Sequence, residues 1–166
     1  AATIVVARGR ERLDAALQLL QQAGCVLPAR DDPAWPQAVI DGLCDLSSRD
    51  ALTGLVNRRQ FGIALDREID RVARAGEPAL VLMADIDHFK RVNDNWGHAT
   101  GDAVLRHFAN VATTGLRAVD VFGRFGGAEF LLILPDTDAR GAAAVAERIR
   151  TAAEQGAFPG IPAGHQ

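Results

Sequence analysis

The sequence has few cysteines, no long apolar run and little net charge, and each shortage argues against a class of protein. Cys25 and Cys44 are too few for a disulfide framework and lack metal-binding CxxC spacing, which indicates buried, inert thiols in a reducing compartment. The apolar runs ALVLMA and FLLIL fall far short of the roughly 20 residues of a membrane-spanning helix, and the N-terminus has no signal-peptide pattern. A net charge of −3 offers no basic surface for nucleic acid. These features predict a soluble cytoplasmic segment with no membrane or nucleic-acid contact.

Lysine is scarce as well. Lys90 is the single lysine among 18 basic residues, and it lies in the segment DIDHFK. A compositional preference for arginine explains this scarcity without giving Lys90 a role, so chance placement and a specific role both stay open.

Hydrophobic periodicity predicts a small N-terminal fragment, followed by a segment that connects it to the rest of the chain. Within residues 1–30, TIVVA and CVLPA have the composition of strands and ERLDAALQLLQQAG has helical spacing, which predicts a βαβ-like fragment, interpreted as the end of a regulatory domain. Residues 31–49 contain two prolines and then the helical pattern QAVIDGLCDLSS. We expect a linker and a connecting helix that pairs with a second copy or packs on its own domain.

Residues 50–166 have the pattern of an α/β domain. An opening helix is followed by the strand ALVLMADI, a helix, two strands around Gly126 and Gly127, and a last helix. This βαββα order is that of the ferredoxin-like split βαβ without its final strand. The segment AFPGIPAGHQ that follows contains no apolar run for such a strand, so we expect an incomplete C-terminus or a sheet closed by something else.

Acidic residues mark the end of the predicted ALVLMADI strand. Asp85 and Asp87 would share one face if the strand continued through both, and beside a hairpin tip they favour a magnesium and phosphate site. Asp87 has an alternative role as the N-cap of the next helix. Gly126 and Gly127 fit a turn with positive φ and would let a phosphate approach the main chain, although a plain hairpin also explains them.

Four segments together resemble the GGDEF domain, the diguanylate cyclase module: DALTGLVNRRQF at 50–61, DIDHFKRVNDNWGHATGDAVL at 85–105, RAVDVFGRFGGAEF at 117–130 and LPDTDARGAAAVAERIR at 134–150. The resemblance implies a nucleotidyl-cyclase-type fold. It also implies the family reaction, in which two GTP molecules condense to cyclic di-GMP and two diphosphates between two domains. The implied partners are Mg²⁺, GTP, cyclic di-GMP and a second copy, in the cytoplasm or in the cytosolic part of a larger sensor.

The resemblance also implies roles for residues before the hairpin. Asp85 and the backbone carbonyl of Ile86 would be magnesium ligands, and Phe89 and Lys90 would lie near the triphosphate. Lys90, the single lysine, thereby acquires a role.

Base recognition is implied at Asn93 and Asp102, which match positions that hydrogen-bond the guanine edge. A polar site of this kind rejects bases that leave its groups unpaired. Without the resemblance, helix capping would explain Asn93 and a solvated helix face would explain Asp102. His98 has no metal-ligand spacing to another histidine and is interpreted as structural.

The third position of the family signature, Gly-Gly-Asp/Glu-Glu-Phe, is Ala128 in this chain. The resemblance makes that acid a magnesium ligand that activates the attacking ribose hydroxyl, and alanine cannot coordinate a cation. Glu129 would face the other side of an extended strand, which makes it a poor substitute. Three interpretations stay open: a silent module that binds nucleotide, an active cyclase whose natural residue 128 is an acid, and a dimerising scaffold with vestigial sites.

Arg117 and Asp120 form an RxxD set upstream of Gly126. In the family, RxxD at this offset is the product-inhibition site, where an intercalated cyclic di-GMP dimer binds away from catalysis. An arginine grips phosphate or a guanine edge with two donors, and a carboxylate accepts from guanine N–H groups. The alternative is a local ion pair worth about 0–1 kcal/mol. We expect cyclic di-GMP binding at this site.

Overall fold

The structure, a computed structural model, describes residues 2–155 and residue 158, with side chains from Arg12 onward. The chain divides into two compact units, Ala1–Arg49 and Asp50–Gln166. No helix in the described part is long and apolar enough to cross a membrane.

The first unit contains two helices, α1 (Ala2–Gln22) and α2 (Trp35–Ser48). Leu20 of α1 is fully buried, and Val39 of α2 is buried too. Gly42 permits this packing, because a Cβ there would lie 2.7 Å from Leu20 Cδ2. Cys25 is half-buried and Cys44 is exposed, so the expected burial of both thiols is wrong for Cys44.

The two strands predicted in the first unit are wrong. TIVVA lies within α1, and residues 25–29 have no regular secondary structure. β-Branched residues form a strand only where another strand pairs with them, and in the described part of the chain none pairs with this segment. The helix that contains ERLDAALQLLQQ therefore also includes TIVVA.

The second unit is an α/β domain. Its elements are, in chain order, β1 (Val56–Asn57), α3 (Arg58–Ala75), β2 (Ala79–Asp85), α4 (Phe89–Thr114), β3 (Val121–Gly126), β4 (Glu129–Pro135) and α5 (Ala139–Gln155). The sheet order is β1-β3-β4-β2, with β1 parallel to β3 and the other pairs antiparallel. The predicted βαββα order is confirmed, and β1 is an addition that the sequence did not predict.

Helices cover both faces of this sheet. On one face, alternate β4 residues pack against α4 and α5 in a core that includes Leu105, Phe108, Phe130, Leu132, Leu134 and Ala142. On the other face, α3 places the buried Phe61 over Gly123, where a Cβ would lie 2.8 Å from the phenyl ring. This two-sided packing fixes the β3–β4 hairpin relative to the end of β2.

The strand β2 lies at the edge of the described sheet and pairs only with β4. Leu82 and its alternate neighbours pack against the core, whereas Val81 and Met83 point away from it and are 47% and 70% exposed. A cavity of about 720 Å³ opens between this edge and α5, with mostly apolar lining. The prediction that AFPGIPAGHQ forms no strand lies outside the described residues, except for Phe158, which lines the cavity.

Candidate functional site

The turn between β3 and β4 carries the RFGGAEF segment. Gly126 pairs with Glu129, so Gly127 and Ala128 form a two-residue loop. Gly127 has φ +49°, a conformation that residues with a Cβ seldom adopt. A Cβ at Gly126 or Gly127 would meet no atom within 4 Å, so the main chain at this tip is open to a ligand.

The register between β2 and β4 brings two carboxylates together. Asp85 lies directly opposite Glu129, and both residues are exposed. Side chains in such cross-strand pairs have Cβ atoms about 4.5–5.5 Å apart, and like charges there are unfavourable without a counter-ion. Ala128 instead packs partly against the core, and its carbonyl accepts the Ile86 N–H at 3.4 Å. Glu129, which the sequence marks as a poor substitute for an acid at position 128, therefore stands opposite Asp85, whereas residue 128 does not.

Asp85, Glu129 and the Ile86 carbonyl offer oxygen atoms, the ligand type that a magnesium ion takes. Within residues 2–155 and 158, no group of three or more His, Cys, Asp or Glu side chains is arranged to hold a metal. Asp85, Glu129 and the Ile86 carbonyl would leave other positions of an octahedral ion to water and phosphate oxygens, the usual arrangement for Mg²⁺. The Ile86 carbonyl already accepts the Phe89 N–H at 3.2 Å, which leaves one lone pair free.

The predicted base-binding residues lie on α4, which bends at Gly97 (φ +80°, ψ 163°). A Cβ at Gly101, after the bend, would collide with Asn93 Oδ1 and lie 3.2 Å from Phe89 Cζ. Gly101 thus lets Asn93 and Phe89 rest against the second half of α4, next to Asp102. A glycine inside a helical pattern signals close packing, and Gly101 is such a residue that was not predicted.

Other residues at the start of α4 are placed as follows. His88, with φ +57°, precedes the helix as its N-cap, so the alternative role of Asp87 as N-cap is wrong. Lys90 and His98 are exposed. Neither makes an ion pair within the described part of the chain.

Arg124 forms an interaction at the turn that was not predicted from the sequence. Arg124 donates from Nε and Nη2 to the Gly127 carbonyl at 3.0 and 2.8 Å, and its Nη1 lies 3.2 Å from Asp50 Oδ1. Asp50 Oδ1 also accepts from the backbone and hydroxyl of Thr53. Arg124 therefore ties the turn to the start of the second unit.

The charge of Asp50 is stabilised in this setting. Burial raises the pKa of the Asp50 carboxyl, but hydrogen bonds from the Thr53 side chain and backbone and from Arg124 together lower that pKa below its ordinary value. The ionised form is therefore favoured in the folded protein.

We expect Asp50 to make the stability of the protein depend on acid pH. Because its pKa is lower folded than unfolded, ionised Asp50 stabilises the fold above the unfolded value of 3.8, and this stabilisation disappears as the pH falls through the folded pKa. Asp50→Asn should cost about 1 kcal/mol at pH 7 and progressively less towards pH 3. Melting curves across this range measure the effect, with the exposed Asp70→Asn as control. A cost that stays constant with pH would contradict the assignment.

The RxxD residues also come together. Arg117 Nη2 lies 2.7 Å from Asp120 Oδ1, and the Arg117 backbone N–H donates to Asp120 Oδ2 at 2.7 Å. The hydrogen bond with Asp120 raises the pKa of the Arg117 guanidinium. Asp120 is 2% exposed and Arg117 is 51% exposed, so only the arginine offers substantial surface to a ligand.

Residues 47–162 match the family model described as "Diguanylate cyclase, GGDEF domain". The chain is 45% identical over 111 residues to the response regulator PleD of Caulobacter vibrioides, an alignment that covers 67% of the chain and 24% of PleD. It is 44% identical over 103 residues to the diguanylate cyclase DgcP of Pseudomonas aeruginosa, covering 62% of the chain and 15% of DgcP. The chain thus spans about a quarter or less of the length of these two relatives.

Solved structures resemble the fold. The diguanylate cyclase SiaD of Pseudomonas aeruginosa, in complex with its activator SiaC, superposes with a TM-score of 0.68 at 36% identity, covering 99% of this chain and 62% of SiaD. The coiled coil and GGDEF domain of DgcB from Caulobacter crescentus, in complex with c-di-GMP, superpose with a TM-score of 0.67 at 30% identity. The superposition covers 84% of this chain and 66% of the DgcB chain.

Proposed function

Because this chain belongs to the GGDEF domain family of diguanylate cyclases, we propose that it binds GTP and cyclic di-GMP and reports them to a partner without cyclising GTP. The observation that carries the proposal is Ala128, where the family signature has an acid. A methyl group can neither coordinate a cation nor orient the attacking hydroxyl. Loss of one preorganised electrostatic group costs about 100-fold or more in rate.

The retained residues support nucleotide binding. When bound, Mg²⁺ would neutralise charge on the GTP triphosphate. Asp85 and Glu129, opposite each other across the sheet, would hold the ion, and the Ile86 carbonyl would be a third ligand. Phe89 and Lys90 would lie along the triphosphate. Without an acid at position 128, the ion would be held less firmly.

Guanine selection would fall to Asn93 and Asp102. The bend at Gly97 and the close packing at Gly101 support this, because they hold the amide of Asn93 beside the helical turn that carries Asp102. An amide and a carboxylate match the acceptors and N–H donors of a guanine edge. Bases that leave these groups unpaired would be rejected.

The proposal extends to the setting of the domain. Each domain would bring one nucleotide, so any catalysis would need a homodimer. We place the chain in the cytoplasm, which fits its free thiols and a GTP substrate.

A second candidate is an active diguanylate cyclase. The pairing of Asp85 with Glu129 favours it, because two carboxylates remain available for one cation although residue 128 is alanine. Synthesis of cyclic di-GMP separates this candidate from the silent module.

We expect the unmodified protein to form little or no cyclic di-GMP from GTP and Mg²⁺, yet to bind added cyclic di-GMP. Arg117→Ala should weaken that binding at least tenfold in calorimetry, about 1.4 kcal/mol, because the ligand loses a charged donor. Arg140→Ala, an exposed arginine on α5, is the matched control and should bind as the unmodified protein does. Robust synthesis would contradict the silent module and support the second candidate. If Arg117→Ala binds cyclic di-GMP with unchanged affinity, the RxxD pair has only a structural role.

A further inference from the structure

The Arg117 guanidinium is held by more than Asp120. Its Nη2 donates to the Pro135 carbonyl and to the Thr137 hydroxyl, both at 2.9 Å, in addition to Asp120 Oδ1 at 2.7 Å. Its Nε donates to Asp120 Oδ1 at 3.0 Å. We call these three acceptors, the Asp120 carboxylate, the Pro135 carbonyl and the Thr137 hydroxyl, the arginine clamp.

The clamp is built into the turn between β4 and α5. Thr137 is buried, its hydroxyl donates to the Pro135 carbonyl at 2.8 Å, and its backbone N–H donates to the Pro78 carbonyl at 3.1 Å. These bonds fix the hydroxyl where it can accept from Arg117. The turn itself therefore holds two of the three acceptors of the clamp in place.

The clamp uses most of the donors that a ligand would need. Nη2 carries two hydrogens and faces three acceptors, and the Nε hydrogen faces Asp120. Of the N–H hydrogens on the Arg117 guanidinium, only the two on Nη1 have no hydrogen-bond partner within residues 2–155 and 158. Arginine recognises a guanine edge or a phosphate best with two parallel N–H groups on different nitrogens. Such a contact must take Nη2 away from Pro135 and Thr137.

We propose that Thr137 is a positioning residue that holds the RxxD site closed and so lowers its affinity for cyclic di-GMP. The proposal rests on the proposed binding of cyclic di-GMP at Arg117. In this arrangement the Asp120 side chain, which is 2% exposed with both oxygens engaged by Arg117, orients the arginine. Binding requires that Arg117 exchange its turn acceptors for the ligand.

Thr137→Val tests this directly, because valine keeps the shape of threonine and removes the hydroxyl. In calorimetry with cyclic di-GMP we expect Thr137→Val to bind at least threefold tighter than the unmodified protein. Thr137→Ser, which restores the hydroxyl, should return the affinity to the original value. The Arg117 Nε–H signal in NMR, recorded without ligand, should shift in Thr137→Val and not in Thr137→Ser. Thr137→Ala replaces the valine variant if the latter does not melt cooperatively.

The outcomes separate this proposal from the one on which it rests. If neither the unmodified protein nor Thr137→Val binds cyclic di-GMP, both proposals fail. If the unmodified protein binds through Arg117 but Thr137→Val binds equally or more weakly, only the closing role of Thr137 is overturned. If Thr137→Val binds cyclic di-GMP and the unmodified protein does not, the result would support the proposal that Thr137 holds the site closed.

Discussion

Ala128→Asp is expected to raise the rate of cyclic di-GMP formation from GTP and Mg²⁺ by about 100-fold or more. Residue 128 lies in the two-residue loop, and its carbonyl accepts the Ile86 N–H, so its side chain starts next to the residue that follows Asp85. An aspartate there would add an oxygen that can orient the cation and the attacking hydroxyl. The rate should be measured with saturating GTP and Mg²⁺.

Two variants make the test of Ala128→Asp specific. Ala128→Asn has nearly the same size as aspartate without the charge, so it should leave the rate low. Combining Ala128→Asp with Asp85→Asn should abolish the gain, because the added acid would then lack its neighbouring carboxylate. If Ala128→Asp stays silent while Asp85 and Lys90 are intact, residue 128 is not what limits the reaction.

Phe130→Ala is expected to lower the free energy of unfolding by about 3–5 kcal/mol, because it opens a cavity in the centre of the core. Phe130 is fully buried, and its ring centroid lies 4.8 Å from that of Phe108 and 5.7 Å from that of Phe122. It also follows Glu129 directly, so loss of this packing would loosen one of the two paired carboxylates. Urea unfolding monitored by circular dichroism measures the change.

Phe125→Ala is the matched control for Phe130→Ala in the same hairpin. Phe125 lies at the register shift of β3, is partly exposed and packs under Arg58, whose guanidinium carbon is 4.4 Å from the ring centroid. An exposed cation–π contact is worth about 0.5–1 kcal/mol, so the loss should be several times smaller. Equal losses in the two variants would show that Phe130 is not central to the core.

The strands and helices with strong local patterns were predictable from the sequence. ALVLMADI is a continuous apolar run, and the glycine pair between two apolar segments indicates a hairpin, so β2, β3 and β4 follow from side-chain chemistry within a few residues. The two residues of β1 are too short for any periodicity. The prediction of a strand at TIVVA was wrong because a strand needs a pairing partner, and a local pattern cannot show whether one is present.

The candidate site was predictable where it depends on short motifs and not where it depends on contacts between distant residues. Asp85 and the glycine turn were identified from the sequence, and the observed register places them together. The pairing of Asp50 with Arg124 joins residues 74 positions apart, and the bond from Arg117 to Thr137 spans 20 positions. Neither contact has a local signature, because each depends on how the strands and the turn after β4 are packed.

Within residues 2–155 and 158, no strand pairs with the outer edge of β2. Its outward main-chain groups are a template on which another strand can form hydrogen bonds, and natural proteins protect such edges with lysine, proline or a bulge. The sequence of β2, ALVLMAD, contains neither lysine nor proline, and its single charge is Asp85 at the very end. With Val81 and Met83 exposed beside it, this edge is where concentrated samples would begin to self-associate unless another strand covers it.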